Sequence, residues 1–103
     1  MLLEGKNAIV TGGSQGIGTA ASLMLAEEGA NVCLTYRKHK EEAEVVTRQI
    51  EAIGRKALCV KCDISSFSEA EFVVNAAVKA FGRLDILVNN AGMNWDGVCW
   101  KRS

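Results

Sequence analysis

Thr11-Gly12-Gly13-Ser14-Gln15-Gly16-Ile17-Gly18 is the stretch of this sequence on which the fold turns. Before it, Asn7-Ala8-Ile9-Val10-Thr11 reads as a buried strand, and after it apolar residues recur at helical spacing. A glycine-rich string means little alone, but one that ends a strand and opens a helix has a physical use. Glycines permit a tight turn and let another backbone approach closely. The free N–H groups and positive dipole end of the following helix then suit a pyrophosphate. An ordinary strand-to-helix connection is the competing explanation. Four glycines within residues 12–18 exceed what a plain connection needs, so the phosphate-binding reading is preferred.

Outward from the turn, short apolar runs alternate with longer segments of helical period, the pattern of a parallel sheet with crossover helices. Strands are expected at Asn7–Thr11, Asn31–Thr35, Ala57–Cys62 and Asp85–Asn89. They are nearly all apolar, as strands covered on both faces must be. Between them, three helices are expected to bury Ile17, Ala20, Ala21, Met24 and Leu25; then Ala43, Val46, Thr47 and Ile50; then Phe72, Val73, Ala76, Ala77 and Ala80. Gly29, Gly54 and Gly82 stand where left-handed residues would end these helices. Ser68 and Glu71 have capping-box spacing, with Phe67 and Phe72 as a hydrophobic staple. Right-handed crossovers order the strands 3-2-1-4, with the first two helices on one face and the third on the other. The expected fold class is therefore α/β, a Rossmann-type doubly wound parallel sheet truncated after the fourth strand, with residues 1–103 forming part of a single domain. Ligands of such sheets bind beyond the carboxyl ends of the strands at the switch point, here the first and fourth.

Composition narrows the function. The 103 residues carry 12 basic and 12 acidic side chains, and 49% of them are apolar, which points to neither a nucleic-acid nor a membrane partner. No apolar run approaches the ~20 residues of a membrane span, and the start lacks the features of a signal peptide, so a cytoplasmic location is expected. Cys33, Cys59, Cys62 and Cys99 are then expected as thiols. Cys59 and Cys62 have the spacing of a redox or zinc pair, but within a strand, side chains three apart point to opposite faces.

The turn has the spacing T-G-x-x-x-G-x-G, and with Leu3-Glu4-Gly5-Lys6, Asp63-Ile64 and Asn89-Asn90-Ala91-Gly92 it resembles the compact subclass of the short-chain dehydrogenase/reductase family. The resemblance runs over essentially the whole chain and is nearest in flavour to the bacterial 3-oxoacyl-acyl-carrier-protein reductases. It implies a nicotinamide dinucleotide as partner. Gly12, Ser14, Gln15, Gly16, Ile17 and Gly18 would line its pyrophosphate and adenosine ribose, Asp63 and Ile64 would frame the adenine, and Asn90, Ala91 and Gly92 would pass beside its adenosine side. It also implies a homo-oligomeric full-length protein.

The end of the second strand selects the cofactor. An acidic side chain there would hold both ribose hydroxyls of NAD, and a nearby arginine would accept the 2′-phosphate of NADP. Here the residues are Thr35-Tyr36-Arg37-Lys38-His39-Lys40, with no acid. Cations at a helix start oppose its dipole unless an anion sits among them, although Glu41 and Glu42 partly offset that cost. The expected cofactor is NADP(H), bound through Tyr36 and Arg37.

The family reduces a carbonyl with a Ser and a Tyr-x-x-x-Lys pair on a long helix facing the nicotinamide. Tyr36 and Lys40 have that spacing, but they stand at the adenosine end and Tyr36 is the only tyrosine, so no catalytic residue is expected within this sequence. The readings left open are the cofactor-binding half of an NADP-dependent reductase, a stand-alone nucleotide-binding module, and a truncated product without function. Without further strands, the fourth strand would present an exposed apolar edge prone to self-association.

Overall fold

A computed structural model describes residues 2–12, 16–62, 67–89 and 99–101, with side chains for 2–12, 16–62 and 71–88. The elements run β1 (Asn7–Thr11), α1 (Gly16–Glu27), β2 (Asn31–Tyr36), α2 (Lys40–Ile53), β3 (Ala57–Lys61), α3 (Phe67–Phe81), β4 (Ile86–Asn89) and β5 (Cys99–Lys101). Strand ends differ from the expected ones by a residue, within the fraying of any assignment. The ladder itself reaches further: Cys62 N–H donates to Tyr36 O at 2.8 Å and Asp85 N–H to Asn7 O at 2.9 Å.

β1 to β4 are parallel and stand in the expected order 3-2-1-4. Ile9 aligns with Cys33 on one side and Leu87 on the other. The sheet does not stop there. β5 pairs antiparallel with β4, aligning Trp100 with Leu87 and Cys99 with Val88, so β4 is not the exposed edge that the sequence suggested. Residues 90–98 are too few for a parallel crossover of about a dozen residues or more, so the return is antiparallel.

The alternation of strand side chains builds two cores. Val10, Val32 and Leu34 pack with Ala26 of α1 and Ala43, Val46 and Ile50 of α2. On the other face, Ile9 and Cys33 pack with Val73 and Ala77 of α3. The helices therefore divide between the faces as expected. Cys59 packs against the first core and Cys62 belongs to the second, which separates the C-x-x-C pair across the sheet. Burial, with smaller contributions from Cys59 and Cys62, pushes the Cys33 thiol up to about 12. Cys33 is thus a neutral core side chain at physiological pH.

Two helices bury different stripes from those expected. In α1 the buried residues are Gly18, Ser22 and Ala26, while Ile17 and Met24 are 77% and 63% exposed and Ala20 is also exposed. The helix has no charged residue before Glu27, so hydrophobicity does not mark one face. Small residues win the sheet-facing position because they let the helix approach closely, and Ser22 donates its hydroxyl to Gly18 O at 2.8 Å. In α3, Val73 and Ala77 are buried whereas Phe72 is 61% exposed. That helix begins at Phe67, so Ser68 lies inside its first turn and is not the cap. The stripe of α2 stands as expected, with Ala43, Val46 and Ile50 buried. Among the described residues, no helix is long and apolar enough to cross a membrane.

Candidate nucleotide site

Parallel pairing brings the carboxyl ends of β1, β2 and β4 to one edge, where Thr11 aligns with Asn89. The glycine-rich turn leaves from that edge. Gly12 has φ +67 and Gly16, the first residue of α1, has φ +53, a region in which a Cβ costs energy. Among the described residues, no atom lies within 4 Å of where a Cβ on Gly16 would point. Ile17 beside it is exposed, and Gly18 is buried against the sheet.

The turn is tied on its β2 side. Gly12 N–H donates to Thr35 Oγ1 at 2.9 Å, and Thr35 is buried. This positioning residue escaped the sequence reading, because a threonine that ends a buried strand looks like an ordinary β-former. Its proximity to the turn, one strand over, was the available signal. Thr35→Val keeps the shape and removes the acceptor, leaving a partly buried N–H without its partner. The expected loss is about 1–3 kcal/mol of stability, read from the urea midpoint, with Thr35→Ser close to wild type.

Tyr36 is half-buried against the α1–α2 core, and Arg37 follows it, exposed. Lys38, His39, Lys40, Glu41 and Glu42 then line a depression of about 580 Å³ at the start of α2. His39 precedes α2 without a side-chain capping bond; its Nδ1 lies 3.0 Å from Glu42 Oε1. Tyr36 is the last residue of β2 and Lys40 the first of α2, so this pair does not share a helix and lacks the geometry of a Tyr-x-x-x-Lys couple.

The structure therefore brings Gly12, Gly16, Ile17 and Gly18 to the turn, with Tyr36 and Arg37 at the end of the adjoining strand. Ser14, Gln15, Asp63, Ile64, Asn90, Ala91 and Gly92 lie outside the described residues.

Comparison with known proteins agrees with this architecture. The family model described as short chain dehydrogenase matches residues 6–101. An uncharacterized oxidoreductase of Methylorubrum extorquens is 50% identical over 91 residues, covering 88% of this chain and 37% of that protein. A 3-oxoacyl-acyl-carrier-protein reductase of Staphylococcus aureus is 42% identical over 96 residues, covering 93% of this chain and 39% of the reductase. Among solved structures, a short chain dehydrogenase from Burkholderia cenocepacia in complex with NADP superposes with a TM-score of 0.88 at 46% identity, covering 94% of this chain and 40% of that one. A blue fluorescent protein from a metagenomic library, in complex with NADPH, gives 0.87 at 39% identity, covering 90% of this chain and 38% of that one. The chain thus spans under half the length of the relatives it matches. It belongs to the short-chain dehydrogenase family.

Proposed function

We propose that this chain is the adenosine-binding half of an NADP(H) site, the N-terminal part of a single dinucleotide-binding domain over residues 1–103, in an oxidoreductase that reduces a carbonyl. The observation that carries the reading is the basic end of β2. Arg37, Lys38 and Lys40 stand exposed where a 2′-phosphate would lie, with no carboxylate in residues 35–40. The turn supports the rest of the ligand: Gly12 and Gly16 are left-handed and α1 begins at Gly16, and the amino end of a helix suits a pyrophosphate. Gly12, Ser14, Gln15, Gly16, Ile17 and Gly18 would hold it, Tyr36 and Arg37 would take the ribose and its phosphate, Asp63 and Ile64 the adenine, and Asn90, Ala91 and Gly92 its adenosine side. When bound, NADPH supplies the hydride, and this chain's residues bind and orient its adenosine end.

The family match and the Staphylococcus reductase support a 3-oxoacyl thioester on an acyl carrier as substrate of the whole enzyme. That enzyme would be cytoplasmic and homo-oligomeric. The chain alone would be inactive, since its only tyrosine, Tyr36, is at the adenosine end. The alternative is a stand-alone nucleotide-binding module, a reading favoured by β5, which covers the flank of β4. Turnover of NADPH with an acetoacetyl thioester by the isolated chain would contradict the inactivity.

Arg37→Asp tests the cofactor. A charge-assisted hydrogen bond to phosphate is worth about 1.5–3 kcal/mol, so NADPH should bind roughly 10- to 100-fold more weakly while NADH changes little. Fluorescence titration of both dinucleotides reads the result. Equal losses for the two would sink the role of Arg37.

A further inference from the structure

His39 occupies a position that the cofactor reading leaves unused. It lines the depression at the start of α2 together with Lys38, Lys40, Glu41 and Glu42. Its imidazole makes no capping bond to the helix, which is the usual use of a polar side chain at that position. It turns instead to Glu42, with Nδ1 and Oε1 3.0 Å apart. Among the described residues Nε2 has no partner, so the second ring nitrogen is left for solvent or a ligand.

The charges around the depression make this residue decisive. Two lysines and two glutamates line it, so the lining is balanced while His39 is neutral and carries one positive charge once His39 is protonated. Arg37 adds a fixed cation from the end of β2, and β3 contributes Lys61, whose position aligns with Tyr36. Histidine is the side chain that changes charge near neutral pH. A proton on His39 would therefore add one positive charge to the field that an anion meets beside Arg37 and Lys61.

We propose that His39 is a proton-linked selectivity residue: its protonated imidazole contacts the 2′-phosphate of NADP(H), so NADPH binding takes up a proton and NADH binding does not. The inference rests on the NADP(H) reading of the basic end of β2. Glu42 orients the ring through Nδ1 and directs Nε2–H to the phosphate. NADH has no 2′-phosphate, so its affinity does not sense this proton. Because the bound state favours the protonated ring, NADPH affinity falls as pH rises.

The test titrates the chain with NADPH and NADH by fluorescence between about pH 6.5 and 8.5, with calorimetry in two buffers of different ionisation enthalpy to count protons. NADPH should weaken by roughly three- to tenfold across that window, and NADH by less than about twofold. His39→Gln should flatten the NADPH profile and abolish proton uptake, and His39→Lys should keep tight binding throughout. The phosphate's own titration has the opposite sign and is common to wild type and variants, so their difference isolates the imidazole. A preference for NADPH whose pH profile is the same in wild type and His39→Gln would overturn the proposal and leave the cofactor reading standing. No preference for NADPH at any pH would overturn both.

Discussion

Replacing Asp85 by alanine is expected to cost about 2–4 kcal/mol of folding stability, read as a lowered urea midpoint at neutral pH. The carboxylate is fully buried just before β4. Its Oδ2 accepts Asn7 N–H at 2.9 Å, and its Oδ1 accepts Arg83 Nε–H at 2.9 Å. The connection continues across the sheet: Asn31 Nδ2 donates to Asn7 Oδ1 at 2.8 Å, and Lys56 N–H donates to Asn31 Oδ1 at 2.9 Å. One chain of hydrogen bonds thus joins the amino ends of β4, β1 and β2 to the residue before β3, fixing their mutual register. Alanine would leave the buried Asn7 N–H unpaired, while Arg83, largely exposed, can return to water. That escape keeps the loss below that of a fully buried broken pair.

The same network sets a pH dependence. The hydrogen bond from Arg83 holds the Asp85 carboxyl below the usual carboxylate range, with further lowering from Asn7 N–H and the charges of Arg83 and Lys6, against the opposing effect of burial. A folded-state value below the unfolded one gives stability that is fully present above about pH 4 and is lost as pH falls through the folded value. The stability difference between wild type and Asp85→Asn should accordingly be largest at neutral pH and shrink in acid. A difference that stays constant down to about pH 3 would mean that the charge does not contribute.

The parts of the fold legible in the sequence are those fixed by short-range chemistry. The β1 to β4 runs carry apolar side chains for two faces, α2 has a charged side that leaves one stripe for the core, and the left-handed glycines mark helix ends. α1 was misread because its residues are apolar nearly all round, and the choice of face falls to size: Gly18, Ser22 and Ala26 let the helix lie close to the sheet, while Ile17 and Met24 are too large to do so. β5 has only three residues and no readable period; the open flank of β4 makes it a strand. The left-handed turn at Gly12 and Gly16 and the exposed charge of Arg37 were legible because glycine conformation and charge are local properties. Thr35 and the Asn7–Asn31–Asp85 chain were not, because their roles depend on partners between 23 and 78 residues away.

Gly29→Ala is expected to destabilise the chain by about 2–4 kcal/mol, through two effects that can be separated. The residue has φ +107, which strains any side chain, and a Cβ there would sit 2.6 Å from Glu4 Cα and 2.8 Å from Glu4 N. Both are backbone atoms, so no side-chain rotation relieves the contact. The segment they belong to is bound to the end of α1: Leu3 N–H donates to Glu28 O at 2.7 Å and Gly5 N–H to Gly29 O at 3.3 Å. A methyl group would therefore push away the strap that precedes β1. Gly54 provides the control, with φ +101 and, among the described residues, no atom within 4 Å of its Cβ position. Gly54→Ala should show the conformational strain alone, about 1–2 kcal/mol. Urea unfolding of both variants, repeated in a chain lacking residues 1–4, forms a cycle in which the excess cost at position 29 should disappear with the strap. If the two variants cost the same in the full chain, the contact with Glu4 carries no energy and the strap yields freely. If the excess persists after the deletion, the strain of Gly29 comes from the α1–β2 corner itself, where Ala30 N–H donates to Leu25 O and Asn31 N–H to Lys6 O.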